Sequence, residues 1–256
     1  MRKFGDKTVH ANYFGEQEII ERYVGEQLIF SYKNYPQRSI LSHFHGKQNR
    51  DIENRVWTDL IQGLIGTFGD GAVWVNDGVR FNAAANSFIS YPNQNAARAF
   101  TICHTFEIAV RGSSSGAGSF PRLSDAYGQV SIYLRTNSPI GAVSMYYSNR
   151  DLVFSNPHFI PKLNTRYNVI VRWDGTSSPV EVFINGILFG TIQAPTATIP
   201  NVAVRYIGNR AAGDRGLNGV IYQHAFYDDC LTDDEINQFA RVAIRDFNIP
   251  LLDVWG

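Results

Sequence analysis

Residues Arg166–Gly190 constrain the fold of this chain more than any other segment. Apolar residues alternate along the first half of the segment, at Tyr167, Val169, Val171 and Trp173, which is the two-residue period of a β-strand with one buried face. Asp174-Gly175 then marks a loop, and the alternation resumes at Val180. Asn185-Gly186 suits a type I′ turn, because both central residues of that turn need a positive φ. The segment therefore predicts three antiparallel strands in meander order.

Short alternating segments of the same kind recur along most of the chain. We interpret Gln48–Arg55 as a polar loop and the glycine-rich stretch Gly63–Gly71 as a connection between strands. The fold class that this pattern predicts is all-β, a two-sheet antiparallel sandwich. The further predicted strands are Ile40–Phe44, Val56–Leu60, Ala72–Val75, Val79–Phe81, Ser87–Tyr91, Phe100–Arg111, Gln129–Arg135, Gly141–Tyr147, Asp151–Phe154, Asn201–Ile207 and Gly219–Tyr227.

One helix is predicted, at residues 233–246. Thr232 is placed as its N-cap, and Glu235, three residues later, completes a capping box. Its apolar residues recur with the spacing of one helical face, which predicts that this face packs on a sheet. They are Ile236, Phe239, Ala240, Ala243, Ile244 and Phe247.

Charge and hydropathy exclude several classes of function. Lys and Arg together number 23, as do Asp and Glu, and no long basic run is present, so nucleic acid is not expected as a partner. No apolar stretch is long enough to predict a membrane span, and Met1-Arg2-Lys3 is not followed by the apolar core of a secretory signal. Cys103 and Cys230 are interpreted as free thiols, with a bridge between them left open.

Several segments resemble the laminin-G-like, concanavalin A-like jelly rolls. The resemblance includes Arg205–Arg210, which reads RYIGNR, Leu217–Asp229, which reads LNGVIYQHAFYDD, and Leu231–Ile236, which reads LTDDEI. In the first half it includes VWTDL at Val56–Leu60 and DGVRFNAAANSFI at Asp77–Ile89. It covers roughly residues 40 to 247 and implies a concanavalin A-like jelly roll with one C-terminal helix.

The first thirty residues contain a ten-residue repeat. Tyr13–Ile20 reads YFGEQEII and Tyr23–Phe30 reads YVGEQLIF, which predicts about three short strands in a meander, too few to bury a core alone. The repeat resembles a small N-terminal module of bacteriophage virion and tail proteins. We therefore divide the chain into an attachment module, residues 1–35, and a jelly roll with its helix, residues 36–256. Residues 1–32 are predicted to bind other virion proteins or sister chains in a homo-oligomer.

The resemblance implies that loops at one rim of the sandwich bind ligand, because laminin-G-like domains often bind calcium or glycan there. The candidate ligand-binding residues are the polar side chains of two such loops. Arg150, Arg210 and Arg215 argue against a strong cation site, so no metal and no cofactor are predicted. The candidates are Asn149, Asp151, Asn209, Arg210, Asp214 and Arg215.

Other candidate sites have a structural explanation that we prefer. Glu16, Glu18 and Glu21 resemble the carboxylate cluster of glucanases of this fold, but they lie in the N-terminal repeat, so no catalytic residue is predicted. His43 and His45 share a strand face, yet no third metal ligand is visible. Tryptophans that stack on sugars are weighed against tryptophans of the core, and the core is preferred. The tryptophans concerned are Trp74 and Trp173.

Three hypotheses for function follow from these observations. The first is a non-enzymatic structural protein of a bacteriophage virion, made in the host bacterial cytoplasm, whose exposed jelly roll binds host-surface glycan. The second is a carbohydrate-binding module or receptor-binding protein, and the third, ranked last, is a glycoside hydrolase. The first hypothesis leaves the position on the particle open between the capsid and the tail.

Overall fold

The computed structural model describes a β-sandwich covered on one side by a helix. It describes residues 2–4, 7–9, 21–24, 27–31, 34–84, 86–92, 99–110, 120–126, 130–135, 142–147, 150–155, 159–176, 178–194 and 203–250. The strands form three antiparallel sheets, of four, eight and nine strands. In the part of the chain that the structure describes, no helix has both the length and the apolar character that a bilayer crossing requires.

The four-stranded sheet contains the N-terminal residues in the order β1-β2-β3-β4. The second copy of the repeat forms two antiparallel strands as predicted, with Val24 opposite Gln27. The first copy, Tyr13–Ile20, lies outside the described residues. The strands are β1 (Arg2–Phe4), β2 (Lys7–Val9), β3 (Glu21–Val24) and β4 (Gln27–Ser31).

The eight-stranded sheet contains the three-stranded meander that was predicted at Arg166–Gly190. Its order is β19-β18-β17-β12-β21-β10-β9, and β5 pairs with β21 beside β10. Asn185 and Gly186 both have positive φ, as the type I′ turn requires. The strands are β5 (Ile40–His45), β9 (Val73–Val75), β10 (Gly78–Asn82), β12 (Phe100–Ile108), β17 (Arg166–Trp173), β18 (Pro179–Ile184), β19 (Ile187–Gln193) and β21 (Asn218–Tyr227).

The nine-stranded sheet packs against the eight-stranded sheet. Its order is β16-β15-β14-β13-β20-β11-β8-β7-β6. The strands are β6 (Arg50–Asp51), β7 (Val56–Thr58), β8 (Ile65–Phe68), β11 (Ile89–Pro92), β13 (Arg122–Asp125), β14 (Val130–Leu134), β15 (Val143–Tyr147), β16 (Arg150–Phe154) and β20 (Val204–Ile207).

Three strands of this sheet correct the interpretation of the sequence. The polar segment Gln48–Arg55 was predicted to be a loop, but it contains β6, which pairs with β7. The glycine-rich connection contains β8, where Gly66 is needed because a Cβ would lie 2.9 Å from the carbonyl oxygen of Trp57. No strand was predicted at β13, since Leu123 is its only aliphatic residue.

The helix α1 (Asp233–Phe247) covers the outer face of the eight-stranded sheet. The predicted capping box is confirmed: the Glu235 backbone N–H donates to the Thr232 hydroxyl, and the Thr232 backbone N–H donates to the Glu235 carboxylate. Phe239 is fully buried among strand residues that include Tyr227. Within the described residues, no helix covers the outer face of the nine-stranded sheet.

Candidate functional site

The outer face of strands β13 to β16 presents polar and aromatic side chains. Alternation fixes this orientation, because residues between them point into the sandwich core: Ile132, Met145 and Leu152. Strand register then brings the outward side chains together. Arg122 lies opposite Tyr133, and Tyr146 lies opposite Asp151.

These side chains line a cleft of about 370 Å³. The loop that follows β20 supplies one wall of the cleft, and the residue that precedes Pro121 and β13 supplies another. The volume falls within the range of pockets that hold small ligands. The lining residues are Phe120, Arg122, Tyr133, Tyr146, Asp151, Arg210 and Arg215.

Arg122 is the most deeply placed charge of the cleft. Its residue is 8% exposed, and its Nε and Nη1 atoms have no hydrogen-bond partner among the described residues. Its guanidinium carbon lies 4.1 Å from the centroid of the Tyr133 ring, a cation–π contact. Burial lowers the pKa of Arg122, and the neighbouring Asp125 carboxylate opposes that shift. The cleft therefore contains an incompletely paired cation.

The loop after β20 is held by the buried residue Asn209. The side-chain oxygen of Asn209 accepts from the backbone N–H of Arg210 at 2.8 Å and of Arg215 at 3.0 Å. Gly208 begins the loop with a φ of 80°, and its backbone N–H donates to Leu123 O at 3.0 Å. Asn209 therefore fixes the arginines at the cleft wall and does not itself line the cleft.

Arg210 forms a two-point ion pair with Asp214, through Nε to Oδ1 and Nη2 to Oδ2. This pairing lowers the pKa of Asp214 and raises the pKa of Arg210. Asp214 is therefore ionised at neutral pH and lies outside the lining of the cleft. Of the six residues proposed from the sequence, the structure brings Asp151, Arg210 and Arg215 into one cleft. Asn149 lies outside the described residues.

Three aromatic rings stand beside the charged groups. Phe120 lies edge to face with Tyr133, with ring centroids 5.8 Å apart. Arg215 and Arg135 place their guanidinium groups 5.1 Å and 5.3 Å from the Phe120 ring centroid. Burial is the main cause that raises the pKa of Tyr133, and its hydrogen bond with Asp151 adds to the shift, so its hydroxyl remains protonated.

The histidine pair predicted on one strand face is buried under α1. His43 and His45 are each 2% exposed. His43 Nε2 lies 2.6 Å from Gln223 Nε2, and His45 Nε2 lies 3.4 Å from Asp246 Oδ2. Burial lowers the pKa of His43 to about 3. No cluster of three or more metal-binding side chains occurs in the described part of the chain, and we interpret the pair as part of the core.

The other candidates from the sequence also have structural roles. Trp173 is fully buried, and its indole N–H donates to Ser178 O at 3.0 Å. Trp74 is partly buried against the sandwich core, where its ring packs on Trp57. Cys103 and Cys230 are both free thiols. Glu16 and Glu18 lie outside the described residues.

Sequence reasoning missed Phe120, Arg122, Tyr133 and Tyr146. Tyr133 and Tyr146 lie on segments that were predicted to be strands, and their alternation with Ile132 and Met145 would have placed both on the outer face. Arg122 gave no such signal, because its strand was not recognised.

Similarity to solved structures is extensive in fold and low in sequence. Domain 4 of an extracellular arabinanase from Geobacillus stearothermophilus, solved in complex with arabinotriose, matches with a TM-score of 0.59 and 16% identity, over 80% of this chain and 100% of that one. The binding domain of Paraclostridial mosquitocidal protein 1 matches with a TM-score of 0.61 and 17% identity, over 85% and 55%.

Trypanosoma rangeli sialidase matches with a TM-score of 0.60 and 16% identity, over 86% of this chain. The chain spans only 34% of the length of that sialidase. No curated protein sequence matches the chain. At these identities the similarities show the fold alone.

The sequence itself matches one family model. The matched residues are 81–237, more than half of the chain, and they run from β10 to the first turns of α1. The model describes the concanavalin A-like lectin/glucanases superfamily, in its Laminin_G_3 branch. This chain belongs to the concanavalin A-like lectin/glucanases superfamily.

Proposed function

We propose that this protein is a carbohydrate-binding module and that it binds a saccharide in the cleft formed by Phe120, Arg122, Tyr133, Tyr146, Asp151, Arg210 and Arg215. The observation that carries the proposal is the coexistence in one cleft of two half-buried aromatic rings, Phe120 and Tyr146, and several fixed polar groups. Rings pack on the apolar C–H faces of sugars, and hydroxyl groups of a sugar pair with charged side chains. The complex of the arabinanase domain with arabinotriose supports the choice of ligand class.

We propose binding without hydrolysis. Most glycoside hydrolases use a carboxyl group that stays protonated until it donates to the leaving group, and a second carboxylate across the cleft. The pKa of Asp214 is lowered by its pairing with Arg210, which opposes a role as acid. Among the described residues, Asp151 is the one carboxylate that lines the cleft.

The test begins with a glycan array, and the saccharide bound most tightly is taken to isothermal titration calorimetry. Phe120→Ala and Tyr146→Ala should each weaken binding at least about fivefold, since each removes a ring from the cleft. Leu188→Ala is the control, because Leu188 is exposed on the eight-stranded sheet. The proposal fails if no saccharide binds, or if both cleft variants bind as tightly as the control does.

A second proposal concerns attachment. Among the described strands, β1 to β4 pair only with one another, so the N-terminal sheet is separate from the sandwich in its hydrogen bonding. We propose that residues 1–32 attach the module to a larger assembly, a bacteriophage virion or a homo-oligomer, through the edges of this sheet. Immunogold electron microscopy of phage particles tests the virion form of this proposal, and unlabelled particles would contradict it.

A further inference from the structure

Positive charge predominates among the charged side chains that line the cleft. Three of its seven lining residues are arginines, and one is an aspartate. Arg210 is neutralised by Asp214 through two hydrogen bonds. Arg122 is not neutralised in this way, since two of its three nitrogens have no partner among the described residues.

A buried cation without full pairing is unfavourable, because it has lost water and has gained too few hydrogen bonds in return. Arg122 lines the cleft and is more than nine-tenths buried, so its charge acts on a ligand through a medium less polarisable than water. An anionic ligand would compensate the buried charge of Arg122, whereas a neutral sugar would not.

Arg215 strengthens the same field from the rim of the cleft. Its guanidinium lies against the Phe120 ring, and its backbone carbonyl accepts from the Arg122 N–H at 2.9 Å. The two arginines therefore belong to segments fixed to each other. Arginine suits carboxylate and sulfate because its planar guanidinium presents several donors at once.

We propose that the cleft selects an acidic saccharide, whose carboxylate or sulfate group pairs with Arg122 and Arg215. This inference rests on the proposed saccharide binding and names the ligand class of the same site. The half-buried rings of Phe120 and Tyr146 then contact the sugar ring while the arginines hold its anionic substituent.

The experiment compares three oligosaccharides of equal length by titration calorimetry. The first is an oligogalacturonate, the second is the neutral galactose oligomer in which each carboxylate is replaced by a hydroxymethyl group, and the third is a sulfated galactose oligomer. An anionic oligomer should bind at least about tenfold more tightly than the neutral one, as expected for charge-assisted hydrogen bonds. The carboxylate and sulfate arms show which anion is preferred.

Arg122→Gln should remove most of that tenfold preference and leave the affinity for the neutral oligomer within about threefold. Arg215→Gln should reduce the preference less, because Arg215 is only half-buried. Arg80→Gln is the matched control, since Arg80 is exposed on β10 of the other sheet. Circular dichroism melts establish that each variant is folded.

The salt dependence of the affinity of the unmodified protein tests the same proposal without any substitution. Affinity for the anionic oligomer should fall between about 50 and 500 mM NaCl, while affinity for the neutral one stays constant. If the neutral oligomer binds as tightly as both anionic ones, the acidic specificity is wrong and the saccharide-binding proposal stands. If no oligomer and no other saccharide binds, both proposals are wrong. An equal loss of neutral and anionic binding in folded Arg122→Gln also contradicts the selection.

Discussion

The Arg122 guanidinium lies 4.1 Å from the centroid of the Tyr133 ring, across the pair β13–β14 at the centre of the cleft. Both residues are buried, so the ring supplies part of the compensation that water no longer gives to the charge. This contact therefore contributes both to the stability of the sheet and to the electrostatics of the candidate site.

Replacing the ring should therefore destabilise the fold. We expect Tyr133→Leu to lower the free energy of unfolding by about 1 to 3 kcal/mol, from the lost cation–π contact and the smaller buried volume. Tyr133→Phe keeps the ring and should lower it by less. Urea denaturation followed by tryptophan fluorescence measures both. Equal effects of the two substitutions would contradict a role for the ring.

The glycine that begins the cleft loop should not accept a side chain. Gly208 has a φ of 80°, and a Cβ there would overlap the Phe81 ring. We expect Gly208→Ala to lower the free energy of unfolding by about 3 kcal/mol, from backbone strain and overpacking together. Gly63→Ala is the matched control, because Gly63 has a φ of 70° but a Cβ there would meet no other atom within 4 Å, so about 1 kcal/mol is expected. Denaturant melts that give equal values would show that the overlap relaxes.

The helix should contribute to stability through its packing more than through its cap. Thr232→Ala should lower the free energy of unfolding by about 1 kcal/mol. Phe239→Ala should lower it by about 3 kcal/mol, because Phe239 is fully buried between α1 and the sheet. The same melts decide this, and negligible effects of both variants would mean that α1 is not docked in solution.

Buried histidines should make the protein sensitive to mild acid. Burial lowers the pKa of His43 and of His104 to about 3, below the value of about 6.5 in an unfolded chain. Above pH 6.5 these histidines are neutral in both states, and their contribution is constant. Below it the unfolded state binds protons that the folded state does not, so the free energy of unfolding falls steadily towards pH 3.

The carboxylates act in a different range of pH. The pKa of Glu235 is lowered to about 2, chiefly by its hydrogen bonds with Arg38, so its stabilisation is lost only below about pH 4.5. Urea melts between pH 7.5 and pH 5 therefore isolate the histidines. A free energy of unfolding that stays constant over that range would contradict their burial.

The chain without residues 1–32 should remain folded. Among the described side chains, two apolar clusters, one between the large sheets and one under α1, are made of residues from Tyr35 onwards. We expect the truncated chain to keep its circular dichroism spectrum, and to lose assembly if the N-terminal sheet is the attachment module. Size-exclusion chromatography with light scattering measures assembly. Unfolding, or unchanged assembly of the truncated chain, would contradict the proposed division.

Most of the fold followed from periodicity, and the exceptions have physical causes. The meander from β17 to β19 was predictable because its alternation and its Asn185-Gly186 turn agree with each other. Strand β8 was hidden by Gly66, whose place in the sheet is set by close packing against Trp57 and not by β propensity. Strand β13 was not predicted because three of its four residues are polar. Arg122 lines the cleft, and Asp125 accepts a hydrogen bond from the Ser131 hydroxyl.

The candidate site was predictable only where loops supply it. Arg210 and Arg215 stood out as a polar loop, whereas Tyr133 and Tyr146 resembled ordinary strand residues. Which face of a strand meets the core and which meets a ligand depends on sheet pairing, and this pairing joins segments far apart in the chain. The burial and incomplete pairing of Arg122 could not be predicted, because they depend on its pairing with Tyr133 across β13 and β14.

Chemical-shift mapping by NMR with an acidic oligosaccharide tests most directly whether the cleft binds a saccharide. Saccharide binding in the cleft predicts that the perturbed backbone amides concentrate in β13 to β16 and in the loop from Asn209 to Arg215, with saturable shifts. Shifts confined to α1 and the eight-stranded sheet, or no saturable shift with any saccharide, would contradict it.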